Sequence, residues 1–121
     1  TFTKFFHYLS EESIITGHVI GWHADNDNQF SYSFDNNNKI ISDITNPYSD
    51  NWQNLSNFKK TFKSFDGSEI DFDLYDEESP LLLFYPSGES SGGHINIFFD
   101  NYFQKIEINS NGKVTSQVIN Y

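Results

Sequence analysis

The sequence predicts an α+β fold, with one N-terminal amphipathic helix packed on antiparallel β-sheets of about seven or eight short strands. The opening residues repeat apolar side chains at helical spacing, and after Gly17 the spacing changes to two. Turn-forming clusters then break the chain at short intervals. The apolar content is also unusually aromatic, with 13 Phe and 7 Tyr among 121 residues. Each buried ring removes roughly 150–250 Å² from water, so few side chains fill a core. A chain of 121 residues is one domain's worth. We read residues 1–121 as one globular domain, a helix over about 2–16 and a β region over about 18–121.

Phe2, Phe5, Phe6, Leu9 and Ser13 fall on one helix face, and Lys4, His7 and Glu11 fall opposite. Gly17 is the stop. The segment opens in mid-pattern with no capping residue, which fits the end of a longer helix. His18 to His23 reads as a strand, Asp25-Asn26-Asp27-Asn28 as a turn, and Phe30-Ser31-Tyr32-Ser33-Phe34 as its hairpin partner with one apolar face. Asp35 to Asn38 is a further turn and Lys39 to Ile44 a short strand. Thr45 to Asn57 is a polar loop anchored by Trp52, and Phe58, Phe62 and Phe65 fit either a helix or an extended segment. Ile70, Phe72 and Leu74 alternate with acids. The apolar run Leu81–Tyr85 predicts a central strand buried on both faces, ended by Pro86. Ser87 to Gly93 is a flexible Gly/Ser-rich connection. Ile95, Ile97 and Phe99 alternate, as do Ile106 and Ile108. Asn111-Gly112 marks a hairpin whose return strand carries Val114 and Val118.

Seventeen acidic residues oppose seven basic ones, all lysine, for a formal charge of -10. Such a chain lacks the basic patch that nucleic acid or an anionic membrane surface requires. With no cysteine, no disulfide, thiol nucleophile or thiolate metal site can form. No run approaches the roughly 20 apolar residues of a membrane helix.

Gly88-Glu89-Ser90-Ser91-Gly92 satisfies the letters of the G-x-S-x-G nucleophile elbow. That motif needs a strand-to-helix turn, and His94 onward reads as a strand. We therefore expect no enzyme, and no catalytic role for Ser90 or His94. Asp25 to Asn28 resembles the start of a calcium loop, but the sixth and twelfth positions hold Phe30 and Asn36 in place of Gly and Glu. A weak calcium site there, or a hard cation on Asp71, Asp73, Asp76, Glu77 and Glu78, is the alternative to plain solvated turns. His18 and His23, five apart on a strand, face opposite sides and cannot chelate together. No metal or cofactor is expected.

The order of elements resembles the GspH/FimT family, the minor pseudopilins of type II secretion and related minor type IV pilins. The resemblance begins with Leu9-Ser10-Glu11-Glu12-Ser13-Ile14-Ile15-Thr16-Gly17 leading into His18-Val19-Ile20-Gly21-Trp22. It continues with Trp52 and Leu55, and is most specific from Leu83-Phe84-Tyr85-Pro86 through Ser91-Gly92-Gly93 to Ile97. Ile106 to Val114 matches the family's closing hairpin. Ser13 stands where the family usually has Ala, and no Arg precedes the Glu pair.

The resemblance implies a pseudopilin-like structural subunit near the tip of the type II secretion pseudopilus, assisting protein export across the outer membrane. Its partners would be other minor pseudopilins, the major pseudopilin and secreted cargo, with no nucleic acid. An apolar helix ahead of Thr1 would cross the inner membrane once, leaving this domain in the periplasm. Lys4, His7, Glu11, Ile14 and Ile15 form the candidate subunit-contact face. The alternatives are a FimT-type minor type IV pilin, for which DNA uptake would call for a basic surface, and a small β-sandwich carbohydrate-binding module, which an exposed aromatic row would favour.

Overall fold

The computed structural model describes residues 2–35, 37, 39–44, 52–74 and 79–121. One helix, α1 (Phe2–Thr16), precedes nine strands among the described residues. They are β1 (Val19–Ala24), β2 (Gln29–Phe34), β3 (Ile40–Asp43), β4 (Lys60–Ser64), β5 (Glu69–Asp71), β6 (Leu82–Phe84), β7 (Gly93–Phe98), β8 (Tyr102–Ile108) and β9 (Val114–Asn120). All pairings are antiparallel, in a four-stranded sheet β3-β2-β1-β6 and a five-stranded sheet β5-β4-β7-β8-β9. The strand beyond the expected seven or eight is β4, where Phe58, Phe62 and Phe65 left the conformation open.

The helix phase is as expected. Phe5, Phe6, Leu9 and Ser13 are fully buried, and Lys4, His7 and Glu11 face solvent. Phe6 meets Trp22 edge to face at 5.1 Å between centroids and stacks at 6.5 Å on Phe84 of β6. Trp22, Trp52 and Phe72 then form a triangle of edge-to-face rings, 5.2–6.0 Å apart. Trp52 is thus the anchor its loop needs, with its indole N–H bonded to the Asp25 carbonyl at 2.9 Å. Ser13 interrupts the apolar stripe because its hydroxyl sits between the carbonyls of His18 (2.7 Å) and Phe84 (2.9 Å). Gly17, at φ 72°, ends the helix with its N–H on the Ser13 carbonyl.

Three expectations change, and a fourth gains a direction. The Leu81–Tyr85 run is not a central strand: β6 has three residues at a sheet edge, and Leu83 is half-buried. Burial comes instead from the 87–92 segment, which folds over that edge. Ser91 donates its N–H to the Leu83 carbonyl (3.0 Å), and the Leu83 N–H reaches Ser91 Oγ at 2.9 Å. That segment is accordingly pinned and not a loose connection. Next, Phe30, Tyr32 and Phe34 do share a face, but it points away from the helix. Their neighbours Ser31 and Ser33 pair with Trp22 and Ile20 on the inner side. Finally, the Ile70–Leu74 alternation ends at Asp71, after which Phe72 turns into the core and Leu74 is 82% exposed. Residues 45–51 of the long loop, Asn36 and Asn38 of the second turn, Asp76, Glu77 and Glu78, and the side chain of Phe2 lie outside the described residues.

Candidate subunit-contact site

The outer face of α1 forms one wall of a groove. His7, Ser10, Glu11 and Ile14 line it on the helix side, and Gly88 with Asn111–Val114 line it opposite, around about 570 Å³ of open volume. His7 Nε2 lies 3.1 Å from Glu11 Oε1, one helical turn apart and well exposed. A pair in that setting steadies the helix surface by a few tenths of a kcal/mol at most. Ile14 is 53% and Ile15 76% exposed. Both isoleucines are open to solvent at the end of a helix whose other face is saturated with aromatic packing. The structure thus brings His7, Glu11 and Ile14 of the expected face to the groove. Lys4 and Ile15 are exposed on the same helix but do not line it.

The far wall depends on a close approach of two turns. Gly112 has φ 85°, and a Cβ there would lie 2.1 Å from the Gly88 carbonyl oxygen. Only glycine permits that contact. Ser90 fastens the same region. It is 6% exposed, its N–H bonds Ser110 O (2.9 Å), its hydroxyl donates to Asn109 O (2.9 Å), and its Oγ accepts the Gly92 N–H (3.0 Å). The serine of the elbow-like motif is committed to tying the 87–92 segment to the β8–β9 turn.

Other candidate groups resolve into structural roles. Asp25 Oδ1 accepts the N–H groups of Asp27 (2.9 Å) and Asn28 (2.7 Å), and Asp71 Oδ1 accepts that of Asp73 (2.9 Å). Among the described residues no group of three or more carboxylates and imidazoles is placed to hold a metal ion. His94 borders a cleft of about 290 Å³ with Lys63, Phe65, Lys105 and Glu107. Burial, then the Lys105 charge, hold its imidazole below the usual 6.5. The aromatic row on the outer face of β2 is a consolidated layer. His23 stacks on Phe30 at 4.9 Å, Tyr32 packs edge-on to Phe34 at 5.1 Å, and Tyr32 is only 5% exposed. Phe30 alone of the three is open to solvent, so this row is not an extended platform for stacked sugar rings.

Sequence reasoning passed over Lys60. It is fully buried, and its Nζ donates to Asn26 Oδ1 (2.8 Å), Leu55 O (2.8 Å) and Phe58 O (3.0 Å), 5.4 Å from the Trp52 ring centre. The signal was present: Lys60 stands two residues from Phe62, so in a strand both share the inward face.

One helix laid across two antiparallel sheets in this order is also the fold of a solved minor pseudopilin. Two solved structures carry it, both of the minor pseudopilin EpsH from the type II secretion system of Vibrio cholerae. The first has a TM-score of 0.62 at 18% identity and covers 98% of this chain and 90% of that one. The second has a TM-score of 0.64 at 18% identity and covers 96% and 90%. At that identity the likeness is one of fold. No protein-family model matches the chain, and a search of curated proteins finds no match.

Proposed function

We propose that this chain is a minor pseudopilin domain, a structural subunit near the tip of a type II secretion pseudopilus that assists protein export across the outer membrane. The observation that carries this reading is the fold match over 98% of the chain. The open outer face of α1 supports it. In this reading an apolar helix anchors the subunit in the inner membrane, and the domain faces the periplasm. Lys4, His7, Glu11, Ile14 and Ile15 touch neighbouring minor pseudopilins and the major pseudopilin, and secreted cargo is a further partner. In this reading the subunit is not an enzyme, and Ser90, whose Oγ is engaged by Asn109 O and the Gly92 N–H, should stay unlabelled by a serine-directed fluorophosphonate. The formal charge of -10 disfavours the DNA-uptake branch.

The test mixes this domain with purified soluble domains of the other minor pseudopilins, with duplex DNA at low salt as a control. Binding to a pseudopilin domain that weakens in Ile14→Asp and Ile15→Asp variants supports the reading. Tight, salt-sensitive DNA binding without pseudopilin contact overturns it.

A further inference from the structure

Sheet edges present unpaired backbone N–H and C=O groups, and proteins ordinarily guard them with brevity, charge, proline or cover. Three edges here are guarded. β3 has four residues and carries Asp43, and β5 has three with Glu69 and Asp71 at its ends. β6 has three and is covered by the 87–92 segment. Among the described residues, β9 is guarded by none of these. Its seven residues, Val-Thr-Ser-Gln-Val-Ile-Asn, hold no charge and no proline. They pair with β8 in continuous register, without a bulge. Val118 is 60% exposed.

The phase of its free backbone groups follows from the hairpin. Asn109 N–H bonds Lys113 O at 2.9 Å, and antiparallel ladders alternate bonded and non-bonded pairs. Thr115, Gln117 and Ile119 therefore bond β8, opposite Glu107, Lys105 and Phe103. Val114, Ser116, Val118 and Asn120 turn their N–H and C=O groups outward. The Tyr121 N–H on Asn101 O, at 3.4 Å, fits the same phase.

The charge distribution permits a second copy there despite the acidic chain. Residues 18–78 hold twelve of the seventeen acidic residues against four of the seven lysines. In the five-stranded sheet, the acidic ends of β5 lie at the opposite edge from β9. Beside β9, Glu107 is paired with Lys105 at 3.8 Å.

We propose that β9 pairs antiparallel with β9 of a second copy about a two-fold axis at Gln117, joining two five-stranded sheets into one. Only an axis that sets outward residues against outward residues satisfies both strands. Centring on Gln117 does so over the full strand, with Val114 opposite Asn120, Ser116 opposite Val118 and no like charges facing. This surface meets the α1 groove only at Val114 and does not rest on the pseudopilin reading.

The chain has no cysteine, so single-cysteine variants report the register cleanly. On the axis, Gln117→Cys would place its two Cα atoms about 4.5 Å apart, as in a non-bonded antiparallel pair. That lies within the ~4.4–6.8 Å disulfide range. Thr115→Cys would lie about 13 Å from its own copy. Both positions are exposed, so both variants should fold, which circular dichroism verifies. Mild oxidation should cross-link Gln117→Cys at least about tenfold faster than Thr115→Cys. Sedimentation equilibrium of the unsubstituted chain should show monomer and dimer. Gln117→Lys, which faces two like charges, should weaken the dimer about fivefold. Equal cross-linking at both positions, or a chain that stays monomeric to roughly millimolar concentration, overturns the proposal.

Discussion

Replacing Lys60 with methionine removes three donors from a dry site while keeping most of the side chain's bulk. Asn26 Oδ1, Leu55 O and Phe58 O each lose a partner now held at 2.8–3.0 Å. A buried acceptor left unpaired costs about 1–3 kcal/mol. The turns carrying these acceptors relax in part, so the three penalties do not add in full. The three partners of Lys60 are neutral, so no buried charge is left behind, and with partial relaxation of the acceptors we expect a net loss of about 2–4 kcal/mol. It is a large fraction of the ~5–15 kcal/mol that holds a domain folded. Urea unfolding followed by tryptophan fluorescence measures it, since Trp52 lies beside the ammonium. Asn26→Ala should cost less, about 1.5–3 kcal/mol, and the double variant less than the sum. Burial holds the Lys60 ammonium below its usual 10.5, opposed by the carboxylates of Asp73, Asp27, Asp25 and Asp71. Between the lowered folded value and 10.5 the unfolded chain binds more protons, so this group makes stability rise with pH across that window. Lys60→Met should lack that rise. A neutral or stabilising Lys60→Met would refute the reasoning, because it would mean the ammonium's desolvation outweighs all three bonds.

Phe6→Ala, which empties the space between Trp22 and Phe84, should lower unfolding free energy by about 3–5 kcal/mol; Lys4→Ala, exposed on the same helix, should stay within about 0.5 kcal/mol. Gly112→Ala forces a Cβ toward the Gly88 carbonyl at a φ of 85°. A loss of about 1–3 kcal/mol is expected from backbone strain alone, read as a drop in melting temperature. His94 is held below 6.5 by burial and then Lys105, so the folded state binds fewer protons there than the unfolded chain. Its contribution to stability is full above pH 6.5 and is lost as pH falls through the depressed value. An imidazole NMR titration should show the depressed midpoint, and His94→Gln should flatten the acid limb of the stability curve.

The helix was legible because a single face of a 3.6-residue period has one solution: Phe5, Phe6 and Leu9 must go in together. The alternation Phe30, Tyr32, Phe34 was legible only halfway. Period two says that one face is apolar, but not which side of the sheet the helix will cover. The aromatic row turned outward because Ser31 and Ser33, small enough to sit opposite Trp22 and Ile20, went inward. The Leu81–Tyr85 run misled for a related reason. A continuous apolar strand needs cover on both faces, and a folded-over loop supplies part of it as well as a neighbouring strand would. Of the candidate contact groove, the helix side could be read from residue spacing. The opposite wall could not, because the approach of Gly112 to Gly88 joins turns separated by 24 positions and leaves no local pattern.

The Gly88–Gly92 segment links these points. Its letters suggest a nucleophile, yet a nucleophilic serine needs an open hydroxyl beside a base. Ser90 has neither an open hydroxyl nor a helix after it; it bonds Asn109 O and the Gly92 N–H from a buried position. Those bonds hold the segment over the free edge of β6 and bring Gly88 against Gly112, so the same residues close one sheet edge and raise the far wall of the α1 groove. With β6 closed and β3 and β5 short and charged, β9 is the long uncharged sheet edge among the described residues, and it lies near the outer face of α1. Both flank the β8–β9 hairpin. A change at Ser90 should therefore act through stability and the geometry of that corner, with the subunit contact proposed for the α1 groove failing in step with the loosened segment.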